Sequence, residues 1–204
     1  MGSALGFTIK SGWACAVVVT GSARSPQIVA TRRLELSDPA QPAACQPYHQ
    51  GTGTARPPGP QLDKLIASTM KFGRESVTAF IGEYERSGHA LDGAGIVVGS
   101  LGDPARIGND HIRIHALEGR LFRTIVKDAT DRQKLASLLW RERDLYALAA
   151  ARLKRSESDL RAAITALGRG VGGPWRAEQK AAALAAWLVI ANAKEPRPAR
   201  PIFK

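Results

Sequence analysis

The stretch at residues 5–20 reads LGFTIKSGWACAVVVT, and it predicts two strands joined by a tight turn. Over residues 5–9, apolar side chains alternate with smaller or polar ones, which is the pattern of a half-buried strand. Ser11-Gly12 then turns the chain into a continuous apolar run, as in a strand buried on both faces. A second turn at 21–25 leads into an alternating strand at 28–36, so the chain is predicted to open with a three-stranded antiparallel meander.

Helical and strand-like segments alternate after this meander. The apolar run at 95–100 predicts a central strand, and Asn109 is suited to cap the helix that follows it. A fifth strand is predicted at 134–140. The order β-β-β-α-β-α-β-α predicts an α/β fold with a mixed five-stranded sheet and extra C-terminal helices. The predicted helices cover 61–88, 109 to about 128, 144–154, 156–167 and 175–193, with Pro174 as the first helical residue of the last.

Composition predicts one globular domain over residues 1–193, followed by a basic, proline-rich tail at 194–204. The formal net charge of +11 favours phosphate-bearing partners and makes nucleic acid the first candidate. We see neither a secretion signal nor an apolar run long enough to span a membrane, so we expect a cytoplasmic protein with no membrane partner. Cys15 and Cys45 lack metal-ligand spacing and are predicted to be structural thiols.

The helix predicted to begin in residues 109–122, NDHIRIHALEGRLF, carries titratable side chains on its apolar side. His111 and His115 are four residues apart, so they share a helix face and can bind one metal ion. Glu118 is a third ligand or an outer partner of that ion, and Asp103 in the preceding loop is a further candidate ligand. The alternative is a hydrogen-bonded cluster or a hydrated helix end without any metal.

Two other segments supply candidate binding residues. Lys10 and Ser11 at the first hairpin turn, together with Arg113 and the free N–H groups at the helix start, could hold a phosphate. The long proline-rich segment at 37–60 is predicted to be a loop, and loops of this length often carry function. Tyr48 and His49 are its candidate functional residues.

The element order and the segment GFTIKSGWA at residues 6–14 resemble the ribonuclease H-like fold, including its Holliday-junction resolvase branch. The resemblance implies nucleic-acid binding and phosphodiester hydrolysis with Mg²⁺ or Mn²⁺ held by clustered carboxylates. Thr8 stands where the family has its first-strand catalytic aspartate, and the first helix offers no inward acid. Asp103 and Glu178 lie near the places of the family's later acids.

Three hypotheses follow. The first is a divergent ribonuclease H-like protein that binds nucleic acid, with His111, His115, Glu118 and Glu178 as catalytic residues and with metal-dependent hydrolysis. The second is an enzyme for a small ligand or phosphate that uses the histidine pair as acid and base. The third is a non-catalytic scaffold that binds a protein partner through the proline-rich loop and the basic tail.

Overall fold

Five strands form one mixed sheet in the computed structural model, which describes residues 2–51 and 53–193. The strand order is β3-β2-β1-β4-β5, with antiparallel pairing from β1 to β3 and parallel pairing of β4 with β1 and β5. The predicted fold class is thereby confirmed; the expected tail at 194–204 lies outside the described residues. The strands are β1 (Gly2–Lys10), β2 (Trp13–Gly21), β3 (Pro26–Glu35), β4 (Leu91–Val98) and β5 (Ser137–Arg141).

Helices cover both faces of the sheet, because the side chains of each strand point alternately to either side. On β1, Leu5, Phe7 and Ile9 belong to a core shared with the first two helices, whereas Ala4 belongs to a second core shared with the last three. No helix in the described part of the chain is both long and apolar enough to cross a membrane. The helices are α1 (Pro60–Arg86), α2 (Asp110–Arg132), α3 (Leu145–Leu153), α4 (Glu157–Leu167) and α5 (Ala177–Ala193).

Helix α5 lies unusually close to the sheet, and small residues on both sides permit this. A Cβ at Gly6 on β1 would collide with the backbone carbonyl of Ala182, and one at Gly95 on β4 would come within 2.7 Å of the carbonyl oxygen of Ala185. Any larger residue at Gly6 would therefore push α5 away. This close packing places the first turn of α5 directly over β1.

Several predicted boundaries differ from the structure: α2 continues to Arg132, beyond the break expected at about 128, and β4 begins at Leu91, before the predicted start at 95. The last helix begins at Ala177, because the indole N–H of Trp175 donates to the carbonyl of Ile164 (2.9 Å) and holds the preceding segment against α4. The fifth strand begins at Ser137, because Lys134 has a left-handed backbone (φ 57°) after the end of α2. The proline-rich segment, predicted to be a loop, contains one short 3-10 helix at Pro42–Cys45 and a small hairpin closed by a bridge between His49 and Ala55.

Candidate metal centre

A small hairpin in the proline-rich segment presents His49. Its two sides meet in an isolated antiparallel bridge between His49 and Ala55. The backbone N–H of Arg56 donates to the carbonyl of Tyr48 (2.7 Å), and the Arg56 guanidinium donates to the carbonyls of Pro47 (2.9 Å) and His49 (3.0 Å). Arg56 thus fixes the backbone on which the imidazole is carried.

The first turns of α2 present the other two imidazoles. Asn109 caps the helix as predicted, since its side chain accepts the backbone N–H of Ile112 at 3.0 Å. His111 and His115 follow on one exposed face, and their Nε2 atoms are 3.0 Å apart. Both therefore face solvent, rather than the apolar side of the helix on which the sequence pattern placed them.

The three imidazoles converge on one point. One ring nitrogen from each of His49, His111 and His115 lies within 4.8 Å of the others. Nitrogens bound to one tetrahedral zinc ion at 2.0–2.1 Å would be about 3.3 Å apart. Small side-chain rotations therefore suffice to bring the three nitrogens to metal-binding separations. The sequence predicts the pair on α2 as metal ligands, whereas it indicates His49 as a candidate functional residue of the loop and not as a ligand. We call these three residues the three-His centre.

Glu118 lies on the buried side of the three-His centre, in contact with His49. Its side chain is only 1% exposed, and its Oε1 lies 2.7 Å from Nδ1 of His49. With the proton of His49 on Nδ1, Nε2 keeps a free lone pair for a metal ion. The structure thus brings Glu118 into hydrogen-bond contact with His49, and its role as an outer partner of a metal ion stays a prediction.

The electrostatics of this group favour a nearby cation. Burial raises the pKa of Glu118, and the hydrogen bond and charge of His49, together with the backbone N–H of Tyr48, oppose that shift in part. The second carboxylate oxygen, Oε2, is buried without a hydrogen-bond partner, which ordinarily costs about 1–3 kcal/mol. A metal ion on the far side of His49 would offset this buried negative charge.

His115 is held in the protonation state that metal binding requires. Burial first, and then the charges of His49 and His111, lower the pKa of His115 from its ordinary value of 6.5. Only the neutral imidazole offers a lone pair to a metal ion. At neutral pH the ring is therefore ready to bind without first losing a proton.

Two cavities flank the three-His centre, and His115 lines both. The first is an open groove of about 550 Å³ that also contains His49, His111 and Arg56. The second is a cavity of about 390 Å³ at the carboxyl ends of β1 and β4, which we call the β1–β4 cavity. A metal ion at the centre would thus be reachable from two sides.

Lys10 and Ser11 both line the β1–β4 cavity, as their place at the first hairpin turn suggested. The Lys10 ammonium is 3.6 Å from the carboxylate of Glu142, an ion pair that leaves both side chains partly exposed. Arg113 is turned elsewhere: its guanidinium donates to Asp110 (2.6 Å) within its own helix. Lys10 and Ser11 therefore remain candidate ligand-binding residues, and Arg113 lies outside both cavities.

The structure does not bring Asp103 or Tyr48 into the centre. Asp103 caps the short 3-10 helix Pro104–Arg106 by accepting the N–H of Ala105 at 3.1 Å. Tyr48 is half-buried against the core beneath the hairpin, and burial raises its pKa. Both residues shape loops near the site.

Glu178 lies on the opposite face of the sheet from the three-His centre. It belongs to the first turn of α5, and its backbone carbonyl accepts the hydroxyl of Thr8 at 3.0 Å. Burial, reinforced by the charge of Glu178, raises the pKa of the neighbouring Cys15 thiol to about 12. The expectation that Glu178 reaches the histidines is wrong, because α5 packs on the other side of β1.

The residues around Thr8 do not fit the divalent ions that the family resemblance implies. Thr8 is 1% exposed and its hydroxyl already donates to the carbonyl of Glu178. The buried residues of α1 include Thr69 and Gly73 but no acid. Within residues 2–51 and 53–193, the three-His centre is the only set of three or more potential ligands that converge. Metal chemistry in the described part of the chain therefore points to the histidines.

No family model and no curated protein matches this sequence. The structure is similar to that of RuvC from T. thermophilus in complex with a Holliday junction substrate, with a TM-score of 0.54, 10% identity and 92% of each chain covered. It is equally similar to another structure of Thermus thermophilus RuvC, with a TM-score of 0.54, 8% identity and coverage of 91% of this chain and 92% of that one. The chain therefore has the ribonuclease H-like fold in the form found in Holliday-junction resolvases.

Proposed function

We propose that this protein is a metal-dependent phosphodiesterase that acts on nucleic acid through one ion held by His49, His111 and His115. The observation that carries the proposal is the convergence of three imidazoles, from two separate segments, in front of a buried carboxylate. Imidazole nitrogens suit Zn²⁺ and similar transition metals, whereas Mg²⁺ prefers oxygen ligands. We therefore expect zinc, or an ion of similar preference, in place of Mg²⁺ or Mn²⁺.

The arrangement of ligands supports a catalytic role more than a structural one. Structural zinc sites are usually closed by four protein ligands, whereas three protein ligands leave a position for water or substrate. When bound, such an ion polarises a phosphoryl oxygen and activates an attacking water. Glu118 holds His49 in one tautomer and orientation, and Arg56 adds a positive charge to the groove beside the ligands.

Two observations support nucleic acid as the substrate class. The formal net charge of +11 favours a polyanion, because basic side chains that contact phosphates release condensed counterions. The second is the shared fold, since one similar structure is that of RuvC bound to a Holliday junction substrate. Fold alone does not determine function, so the proposal depends on the three-His centre.

The test is hydrolysis of fluorescently labelled single-stranded, duplex and four-way-junction DNA by the full chain, loaded in turn with Zn²⁺, Co²⁺, Mn²⁺ or Mg²⁺. We expect cleavage of at least one substrate with Zn²⁺ or Co²⁺ and its loss on adding a chelator. His115→Ala should abolish both cleavage and zinc retention. His89→Ala is the matched control, because His89 lies beyond the far end of α1 and lines neither cavity.

Absence of zinc binding, or cleavage that survives His115→Ala, would contradict the proposal. Cleavage supported by Mg²⁺ and unaffected by His115→Ala would place the chemistry elsewhere in the fold. If the protein binds DNA in a salt-sensitive way but cleaves none with any of the four metal ions, its function is nucleic-acid binding alone.

A further inference from the structure

The β1–β4 cavity touches the three-His centre through His115 but differs from the open groove in its chemistry. Its walls are mainly apolar, and they come from the ends of two strands, the loop that follows β4 and one face of α2. Its volume of about 390 Å³ is within the range of small-molecule pockets. The apolar wall residues include Ile9, Val98, Ile107, Ile112, Ala116 and Phe122.

Gly119 keeps this cavity open. It lies one helical turn after His115 and lines the cavity, and a Cβ built on it would meet no atom within 4 Å. Glycine inside a helix is about 1 kcal/mol less favourable than alanine, and nothing here requires it for close packing. A larger side chain at Gly119 would therefore extend into the cavity without disturbing the core.

The remaining lining groups suit a flat ligand with apolar faces and polar edges. Ile112 is 56% exposed, so its apolar surface lacks a cover that a ligand could provide. The Ser100 hydroxyl accepts the N–H of Gly102 at 3.1 Å and can still donate its own proton. Lys10 adds a cation, and its ion pair with Glu142 is solvent-exposed and weak.

We propose that the β1–β4 cavity takes one unstacked nucleobase next to the phosphodiester held at the three-His centre. This inference rests on the proposed function, since it assigns the substrate's base to the space beside the metal ligands. Removing a base from a stack costs a few kcal/mol, and least where the base is already unpaired. The cavity would thus direct the enzyme to single-stranded or unpaired nucleotides and away from continuous duplex.

The experiment compares binding of two short DNA strands to the zinc-loaded full chain by fluorescence anisotropy. One strand is a thymidine octamer, and the other carries abasic sites at all eight positions, so both have the same phosphates. We expect the base-bearing strand to bind about tenfold more tightly, which lies in the lower part of the range for one base stacked on an aromatic side chain. Gly119→Met should remove that difference and leave zinc content unchanged.

Gly82→Met in α1 is the matched control, because it places the same side chain on a helix away from the cavity, where only the movable end of Arg86 lies nearby. It should keep the tenfold preference. If Gly119→Met fails to fold, Gly119→Ala provides the test, with a smaller loss of preference in a more stable helix.

Equal binding of the two strands to the unmodified protein would overturn the inference, as would a preference that survives Gly119→Met. Either result leaves the proposed function standing if zinc is bound and DNA is cleaved. Loss of zinc binding, measured separately by metal analysis, would instead count against the proposed function.

Discussion

The Thr8–Glu178 contact and the three-His centre lie on opposite faces of the same sheet, and their chemistry differs in every respect. At the first, a buried hydroxyl donates to a backbone carbonyl, and α5 closes the space above β1. At the second, three imidazoles face a groove, with a buried carboxylate behind one of them. The comparison shows that this fold can close one face of the sheet and still build a ligand-rich centre on the other.

The largest effect is expected from removing two ligands of the three-His centre. Like His115→Ala alone, the double substitution His111→Ala/His115→Ala should reduce cleavage to background, a loss on the order of a thousandfold, because a bound ion supplies several kcal/mol of transition-state stabilisation. Glu178→Gln should leave the rate unchanged, since this side chain lies across the sheet from the histidines. Initial rates at saturating zinc measure both effects. A large loss of rate in Glu178→Gln would show that the α5 face of the sheet, and not only the three-His centre, contributes to cleavage.

A carboxylate placed at Thr8 should damage the fold without creating a metal site. In Thr8→Asp the new charge would be buried beside the carbonyl oxygen of Glu178, and an uncompensated buried charge costs about 3–5 kcal/mol. Thr8→Val, of nearly the same shape, should lose only the hydrogen bond, about 1 kcal/mol. Chemical denaturation measures both. A Thr8→Asp protein that is stable and gains Mg²⁺-dependent cleavage would show that the face under α5 can still hold metal.

Glu118→Gln should weaken metal binding while preserving the fold. The amide oxygen can still accept the N–H of His49, but the negative charge is lost, and such outer partners typically change metal affinity by about 10–100-fold. Titration against a zinc-chelating dye measures this change. Glu85→Gln, at an exposed position on α1, should bind zinc normally. Unchanged affinity in Glu118→Gln would show that the carboxylate serves packing alone.

The smallest effect is a pH dependence of the metal-free protein. The folded-state pKa of His115 is lowered from 6.5, so the unfolded chain binds more protons at this residue. Stability should therefore fall as pH decreases from about 6.5 towards the lowered pKa, and it should be independent of this group above that range. Thermal unfolding between pH 5 and 8 measures the slope. His115→Gln should flatten it, and an unchanged slope in that variant would assign the dependence to other groups.

The fold could be predicted from sequence because each element carries a local signal. The alternation over 5–9, the turn at Ser11-Gly12 and the cap at Asn109 are all short-range patterns, and each agrees with the observed element. The histidine pair was equally local, since its spacing alone places both rings on one helical face. These features needed no knowledge of distant contacts.

The third ligand and the position of Glu178 could not be predicted in this way. His49 is held at the site by a short hairpin in which Arg56 bonds to two carbonyls, and its partner Glu118 is 69 residues away. The face on which Glu178 lies depends on where α5 begins and on how closely Gly6 lets it approach the sheet. Both are properties of tertiary packing, and sequence periodicity does not encode them.

Anomalous diffraction from crystals of the zinc-loaded full chain, recorded on both sides of the zinc absorption edge, tests the proposed metal centre most directly. We predict one strong peak bounded by His49, His111 and His115, at normal zinc–nitrogen distances of about 2.0–2.1 Å. No peak should appear beside Thr8 and Glu178. A zinc peak at Thr8 and Glu178, or none at the three histidines under saturating zinc, would contradict the assignment.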